Sequence, residues 1–131
     1  MRIASLTALL AVISAALAQA DQERLVILCT KEHALFLLDP LNGQREALFR
    51  VGLGPEEVAV SKDGCTAVVT NRGDELSGTT ITVLDLAANK VARTITLESR
   101  HTRLDGTEHV RRYHRPTGVC FLEGRARALV A

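Results

Sequence analysis

At 131 residues, with 16 Lys plus Arg against 15 Asp plus Glu, the chain has a formal charge of +1 and no clustered basic excess of the kind that marks a nucleic-acid footprint. Tryptophan is absent and aromatics make up 3% of residues, so any core must be built from Val, Leu, Ile and Ala. Three cysteines occur with no C-x-x-C and no Cys-His pair at ligand spacing, which excludes a recognisable zinc or redox framework.

The chain opens with Arg2, an apolar run from Ile3 to Leu17, and Ala18-Gln19-Ala20 before the polar Asp21-Gln22-Glu23. This is the three-part layout of a secretory signal peptide with an A-x-A site, and its apolar run is too short to span a bilayer comfortably. The expectation is an exported chain, periplasmic or secreted, with residues 1–20 removed and no retained membrane anchor. Removing Arg2 leaves 15 charges of each sign, so the mature chain is formally neutral.

Residues 24–51 follow as three strands: Arg24 to Thr30, Leu35 to Asp39 and Arg45 to Val51. Residues 54–97 read as four. Val58 to Ser61 and Thr66 to Thr70 flank Lys62-Asp63-Gly64-Cys65, where Asp-Gly between apolar runs is a strong hairpin signal. Thr80 to Asp85 and Val91 to Leu97 complete the set. The first of the four is apolar throughout, as for a strand in a packed centre, whereas Val91 to Leu97 alternates apolar with polar, as for a half-exposed outer strand. No helix signal is present beyond the leader.

These segments repeat. Leu35 to Val51 superimposes without a gap on Ile81 to Leu97 at an offset of 46, which places Asp39 on Asp85 and Asn42-Gly43 on Ala88-Asn89. Pro116 to Ala131 superimposes on Pro55 to Thr70 at an offset of 61. A period of about 40 to 50 residues with four strands per unit is the signature of a propeller blade. The fold class expected is therefore an all-β propeller of four-stranded meander blades. Its blades are 24–51, 54–97 and 116–131, holding three, four and two strands, with a loop insertion at 98–115. About 111 mature residues are too few for a ring of four to eight blades, so the sequence reads as the N-terminal part of a longer propeller or a truncated product. With the first blade lacking its inner strand, the polypeptide alone is expected to be poorly soluble or partly unfolded. Cys29 and Cys120 are expected in the core and Cys65 on the surface.

In a meander, the loops joining strands two to three and four to the next blade emerge at one end. That brings Asn71, Arg72, Asp74 and Glu75 to the same face as the insertion, with Arg100, His101, Arg103, His109, Arg111, Arg112, His114 and Arg115. Loops on a rigid scaffold are where binding concentrates, so this face is the expected site for a protein or small-molecule ligand, with the arginines as an anion or partner patch. His101 and His109 with Asp74 or Glu75 supply metal-ligating atom types, but gaps of eight and five residues match no compact ligand spacing, and the expectation is a solvated loop without metal. No cofactor motif is present. Gly52-Leu53-Gly54-Pro55 reads as a turn into a strand, because no helix follows to hold a phosphate. Asp39 and Asp85 read as acceptors for turn amides, Ser61 has no histidine base in reach and no nucleophile role, and His33 has no assigned role.

The run from Gly52 to Asn71 (G-x-x-P-x-x-V-A-V-S-x-D-G-x-x-A-V-V-T-N), Thr82 to Ala87 and Arg115 to Val119 resemble the YVTN-type repeat of YncE-like β-propellers over essentially all of the mature chain. The eponymous Tyr-Val-Thr-Asn stands here as Val68-Val69-Thr70-Asn71, and Glu56 and Thr117 occupy positions where relatives often carry histidine. The resemblance implies an exported propeller; since these segments carry no C-x-x-C-H haem motif and no convergent His, Asp or Glu set from several blades, the expectation is a non-catalytic scaffold that binds through its loop face. The alternative it leaves is a propeller enzyme or enzyme subunit, a lactonase or a quinone- or haem-linked dehydrogenase or reductase.

Overall fold

The computed structural model describes residues 23–74, 78–123 and 127–131; the leader expected at 1–20 lies outside them. All regular structure in the described residues is β. Three antiparallel strands, β1 (Leu25–Cys29), β2 (Ala34–Leu38) and β3 (Arg45–Arg50), form the first sheet. Four more, β4 (Pro55–Val60), β5 (Thr66–Asn71), β6 (Thr80–Asp85) and β7 (Lys90–Thr96), form the second in chain order. A two-stranded hairpin, β8 (Glu98–Thr102) and β9 (Glu108–Arg112), precedes the last pair, β10 (Val119–Phe121) and β11 (Ala128–Val130). No helix among the described residues is long and apolar enough to cross a membrane.

The sequence repeat is written into backbone detail. Register slips occur between Leu37 and Leu38 where β2 meets β3, and between Val83 and Leu84 where β6 meets β7, positions that coincide at the offset of 46. Gly43 and Asn89, also coincident, both take a left-handed backbone with φ of 69° and 50°. Glycine and asparagine are the residues that visit this region at least cost, and the turn requires one of them in each copy. The Asp39 carboxylate accepts from the Leu41 amide at 2.8 Å and the Asp85 carboxylate from the Ala88 amide at 2.9 Å, the turn-capping role expected of both.

Alternation along β5 builds the core. Ala67 and Val69 face the first sheet and join Leu35, Leu37, Phe49, Leu84 and Leu86 in one buried cluster. Val68 faces the other way and packs with Ile81 and Val119, which ties the last strand pair to the second sheet. Apolar residues on both faces of one strand are what a sheet covered on two sides requires.

The most buried strand is therefore β5, not β4 as its composition suggests. Along β4 Glu56 and Glu57 are exposed, and Val60 is 39% exposed, because β4 is the edge of its sheet while β5 has a neighbour on each side. Cys120 also departs from expectation: it alternates with the inward-facing Val119 and is exposed, like Cys65, whereas Cys29 is half-buried. Polar ties supplement the apolar contacts between sheets. Arg24 donates to the Leu86 carbonyl at 3.1 Å, and Thr30 Oγ1 donates to the Pro55 carbonyl at 2.9 Å.

Candidate functional site

Three glycine-containing segments converge where the strand ends meet. Gly54 has φ of 54°, and a Cβ there would collide with the Gly73 carbonyl, so only glycine allows the two backbones to approach. That approach is sealed by the Arg72 amide donating to the Gly54 carbonyl at 3.0 Å and the Gly73 amide donating to the Leu53 carbonyl at 2.9 Å. His33, left without a role by sequence, closes the same end. Its Nδ1 accepts from the Gly54 amide at 3.1 Å and its carbonyl accepts from the Val51 amide at 3.0 Å.

The loop after β5 and the segment after β7 do meet. The Arg115 amide donates to the Gly78 carbonyl at 2.8 Å, and the Leu97 amide donates to the Thr79 carbonyl at 2.7 Å. Between them lies an open cleft of about 530 Å³ lined by Arg72, Gly73, Asp74 and Arg115. Arg72 also faces Glu56 at 3.6 Å. A second groove, about 600 Å³, runs beside the hairpin base past Leu97, Tyr113, His114, Pro116 and Val130.

Residues 98–115 are not a structureless loop. Arg103 and Thr107 close a tight turn with Gly106 at φ 83°, and five residue pairs from Glu98–Arg112 to Thr102–Glu108 zip the strands together. Asp105-Gly106 is the same turn signal that marked Asp63-Gly64, here flanked by charged instead of apolar residues. Pairing sorts the side chains onto two faces. One carries Glu98, Arg100, Thr102, Glu108, Val110 and Arg112; the other carries Ser99, His101, His109 and Arg111, with Tyr113 beyond.

The charged face neutralises itself. Glu98 accepts two bonds from Arg100, at 3.0 and 2.8 Å, and stands 3.7 Å from Arg112, while Arg100 reaches Glu108 at 3.7 Å. The Arg100 guanidinium, helped by the charge of Arg112, holds the Glu98 carboxyl below the usual glutamate range, and Glu98 in turn pushes Arg100 up. On the other face Arg111 lies over the Tyr113 ring at 5.6 Å, and the imidazoles of His101 and His109 stand 4.9 Å apart, tilted by 57°.

The expected site residues thus divide. Arg72 and Asp74 line the cleft, His114 lines the groove, and Arg100, His101, Arg103, His109, Arg111 and Arg112 ride on the hairpin. Glu75 lies outside the described residues. Asn71 is no surface residue: it is 1% exposed and donates through Nδ2 to the hydroxyls of Thr80 and Thr82 at 3.1 and 3.0 Å. Its position at the end of β5, packed against Gly52, makes it a cross-strand tie. The residues that sequence reasoning passed over are Leu104, Val110 and Tyr113, exposed to 111%, 39% and 48%. The Asp-Gly turn, once recognised, is the signal that would have placed them on a hairpin. Ser61 serves its turn, donating to Asp63 at 2.6 Å and accepting from the Thr66 amide at 2.9 Å.

Comparison with solved structures finds a similar fold in Kuenenia stuttgartiensis hydrazine synthase, a β-propeller-containing protein, with a TM-score of 0.52 at 16% identity. The match covers 73% of this chain and 36% of that one, so the chain spans about a third of that protein's length. No protein-family model and no curated protein matches the chain. At this identity the likeness speaks to fold, an all-β, propeller-like arrangement of antiparallel sheets.

Proposed function

We propose that this chain is part of an exported, YVTN/YncE-like β-propeller that acts without catalysis, binding a protein partner through its loop face, with the β8–β9 hairpin as the principal contact. The single observation that carries this reading is the hairpin's exposure. All of β9 and the outer half of β8 are open to solvent, yet the hairpin presents Leu104 in its turn, Val110 on β9 and Tyr113 just after it. A two-stranded ribbon is marginal by itself in water, so one held out from a packed body and decorated with apolar and aromatic groups is suited to contact something else. Tyrosine and arginine, the pair formed here by Tyr113 and Arg111, are residue types enriched where proteins meet.

The cleft at the hairpin base supports the same face. Arg72 and Arg115 offer donors to a partner's carboxylate, and the backbone bonds of Gly78 and Leu97 fix the hairpin root relative to the cleft. The seat is rigid and the projecting element is thinly supported, the arrangement by which loop faces of β scaffolds recognise partners.

A photo-crosslinking amino acid at Leu104 is expected to trap a partner adduct in extracts of the native source. The same probe at Leu41, which is 94% exposed on the β2–β3 turn at the opposite end, is expected to trap none. Equal labelling from both positions, or adducts from Leu41 alone, would remove the hairpin from the binding face.

A further inference from the structure

We infer that the cross-strand pair His101 and His109 is a two-nitrogen chelate for a borderline divalent transition-metal ion, and that the bound ion fastens the outer half of the β8–β9 hairpin. The two histidines are eight positions apart in sequence, which conceals the site. Strand pairing sets them directly opposite on one face, with ring centres 4.9 Å apart. An imidazole nitrogen binds zinc at about 2.0–2.1 Å, so two rings sharing one ion at a near-tetrahedral angle have centres roughly 5 Å apart. The observed separation of ring centres matches that distance, so the backbone need not move to bring the two rings to one ion. The ring tilt of 57° is no obstacle, since a metal ion fixes no angle between the planes of two imidazole ligands and the terminal torsion of histidine is broad.

The surroundings leave the pair available. Both histidines are exposed, so neither has to be unburied to reach an ion. Glu98, Arg100 and Glu108 occupy the opposite face and bond one another; Arg103 and Arg111 each stand two residues from a histidine in sequence, and Arg111 is drawn over Tyr113. No group of three or more His, Cys, Asp or Glu among the described residues is placed to hold an ion, so the chelate is bidentate and its remaining positions are open to water or to a donor from outside. Two imidazoles and open positions suit copper, nickel and zinc, in the affinity order that places copper first, and do not suit calcium or magnesium, which require oxygen ligands.

The consequence follows from where the pair sits. His101 and His109 lie one residue pair inside Thr102–Glu108, the last rung before the turn. A ribbon with no second layer frays from such an end, and an ion bridging the two strands opposes the fraying because it binds the paired state and not the open one. The site does not depend on the partner-binding reading, although it would make the proposed contact surface metal-responsive.

Zinc titration of the full chain by calorimetry, with hydrogen exchange measured on the same samples, tests the assignment. One zinc per chain is expected, together with slowed exchange across 99–112 and unchanged exchange in β5. His101→Ala and His109→Ala are each expected to weaken binding by more than about tenfold, the lower end of what disturbing a metal ligand's surroundings alone costs. His114→Ala, and Ser at both Cys65 and Cys120, are expected to leave binding intact. Unchanged β5 protection in the two alanine variants shows that they remain folded. No uptake by the parent chain, uptake that survives His101→Ala, or uptake lost only with the exposed thiols would overturn it.

Discussion

Two hairpins in this molecule share one turn chemistry and differ in almost everything else. Between β4 and β5, Asp63 accepts from the Ser61 hydroxyl at 2.6 Å and the Cys65 amide at 3.0 Å, with Gly64 at φ 69°. Between β8 and β9, Asp105 accepts from the Thr107 hydroxyl at 2.6 Å and the Thr107 amide at 2.9 Å, with Gly106 at φ 83°. Yet β5 is the most buried strand of the chain and β9 is exposed along its whole length. Local turn chemistry fixes that a hairpin forms; whether it becomes core or contact surface depends on what covers its faces. Ala67, Val68 and Val69 are covered on both sides, whereas His109, Val110 and Arg111 are covered on neither.

The largest expected effect lies in the covered region. Leu84→Ala removes a side chain with no exposed surface from the cluster between the first two sheets, and is expected to cost about 2–5 kcal/mol in urea unfolding. Gly54→Ala is expected to cost roughly 2–4 kcal/mol, combining a left-handed backbone with a collision against the Gly73 carbonyl. Asn71→Ala leaves the buried Thr82 hydroxyl and the half-buried Thr80 hydroxyl without their donor and is expected to cost about 1–3 kcal/mol. Val110→Ala on the hairpin is expected to change global stability by less than about 0.5 kcal/mol. A Val110 variant as damaging as the Leu84 variant would erase the distinction between the regions.

The smallest effect is electrostatic and confined to the hairpin. Asp63, Asp105 and Glu98 are all held below their usual ranges, the aspartates chiefly by the hydroxyls of Ser61 and Thr107 and the glutamate chiefly by Arg100. An acid whose folded value is depressed contributes stability above its unfolded value and loses it as the pH falls through the folded one. Cross-strand contacts of the β8–β9 hairpin, read as NOEs between paired residues, are therefore expected to weaken below about pH 4, as Glu98 and Asp105 take up protons. The β4–β5 hairpin keeps its pairing over the same range, because burial of β5 holds it after the Asp63 contact is gone.

The all-β character, the strand positions and the repeat were legible because alternation, Asp-Gly turns and the Asp39/Asp85 coincidence are local signals. The difference between β4 and β5 was not, because both strands are Val- and Ala-rich and only neighbours in space decide which is the edge. Asn71 was misplaced for a related reason. It follows an apolar run and precedes a polar loop, and nothing local shows that Gly52 and two threonines enclose it. The convergence of the loop after β5 with the segment after β7 followed from meander topology alone. The hairpin within 98–115 did not, since charged residues mask its alternation and leave the turn as its one clear mark.

Hydrogen exchange on the full chain measures the contrast between the two hairpins most directly. Amides of Val68, Val69 and Thr82 are expected to exchange only through global opening, while those of 99–112 exchange faster by orders of magnitude in metal-free buffer. A contact element must be the part that opens and reshapes at low cost. Protection of 99–112 equal to that of β5 would contradict the assignment of this hairpin as the molecule's binding element.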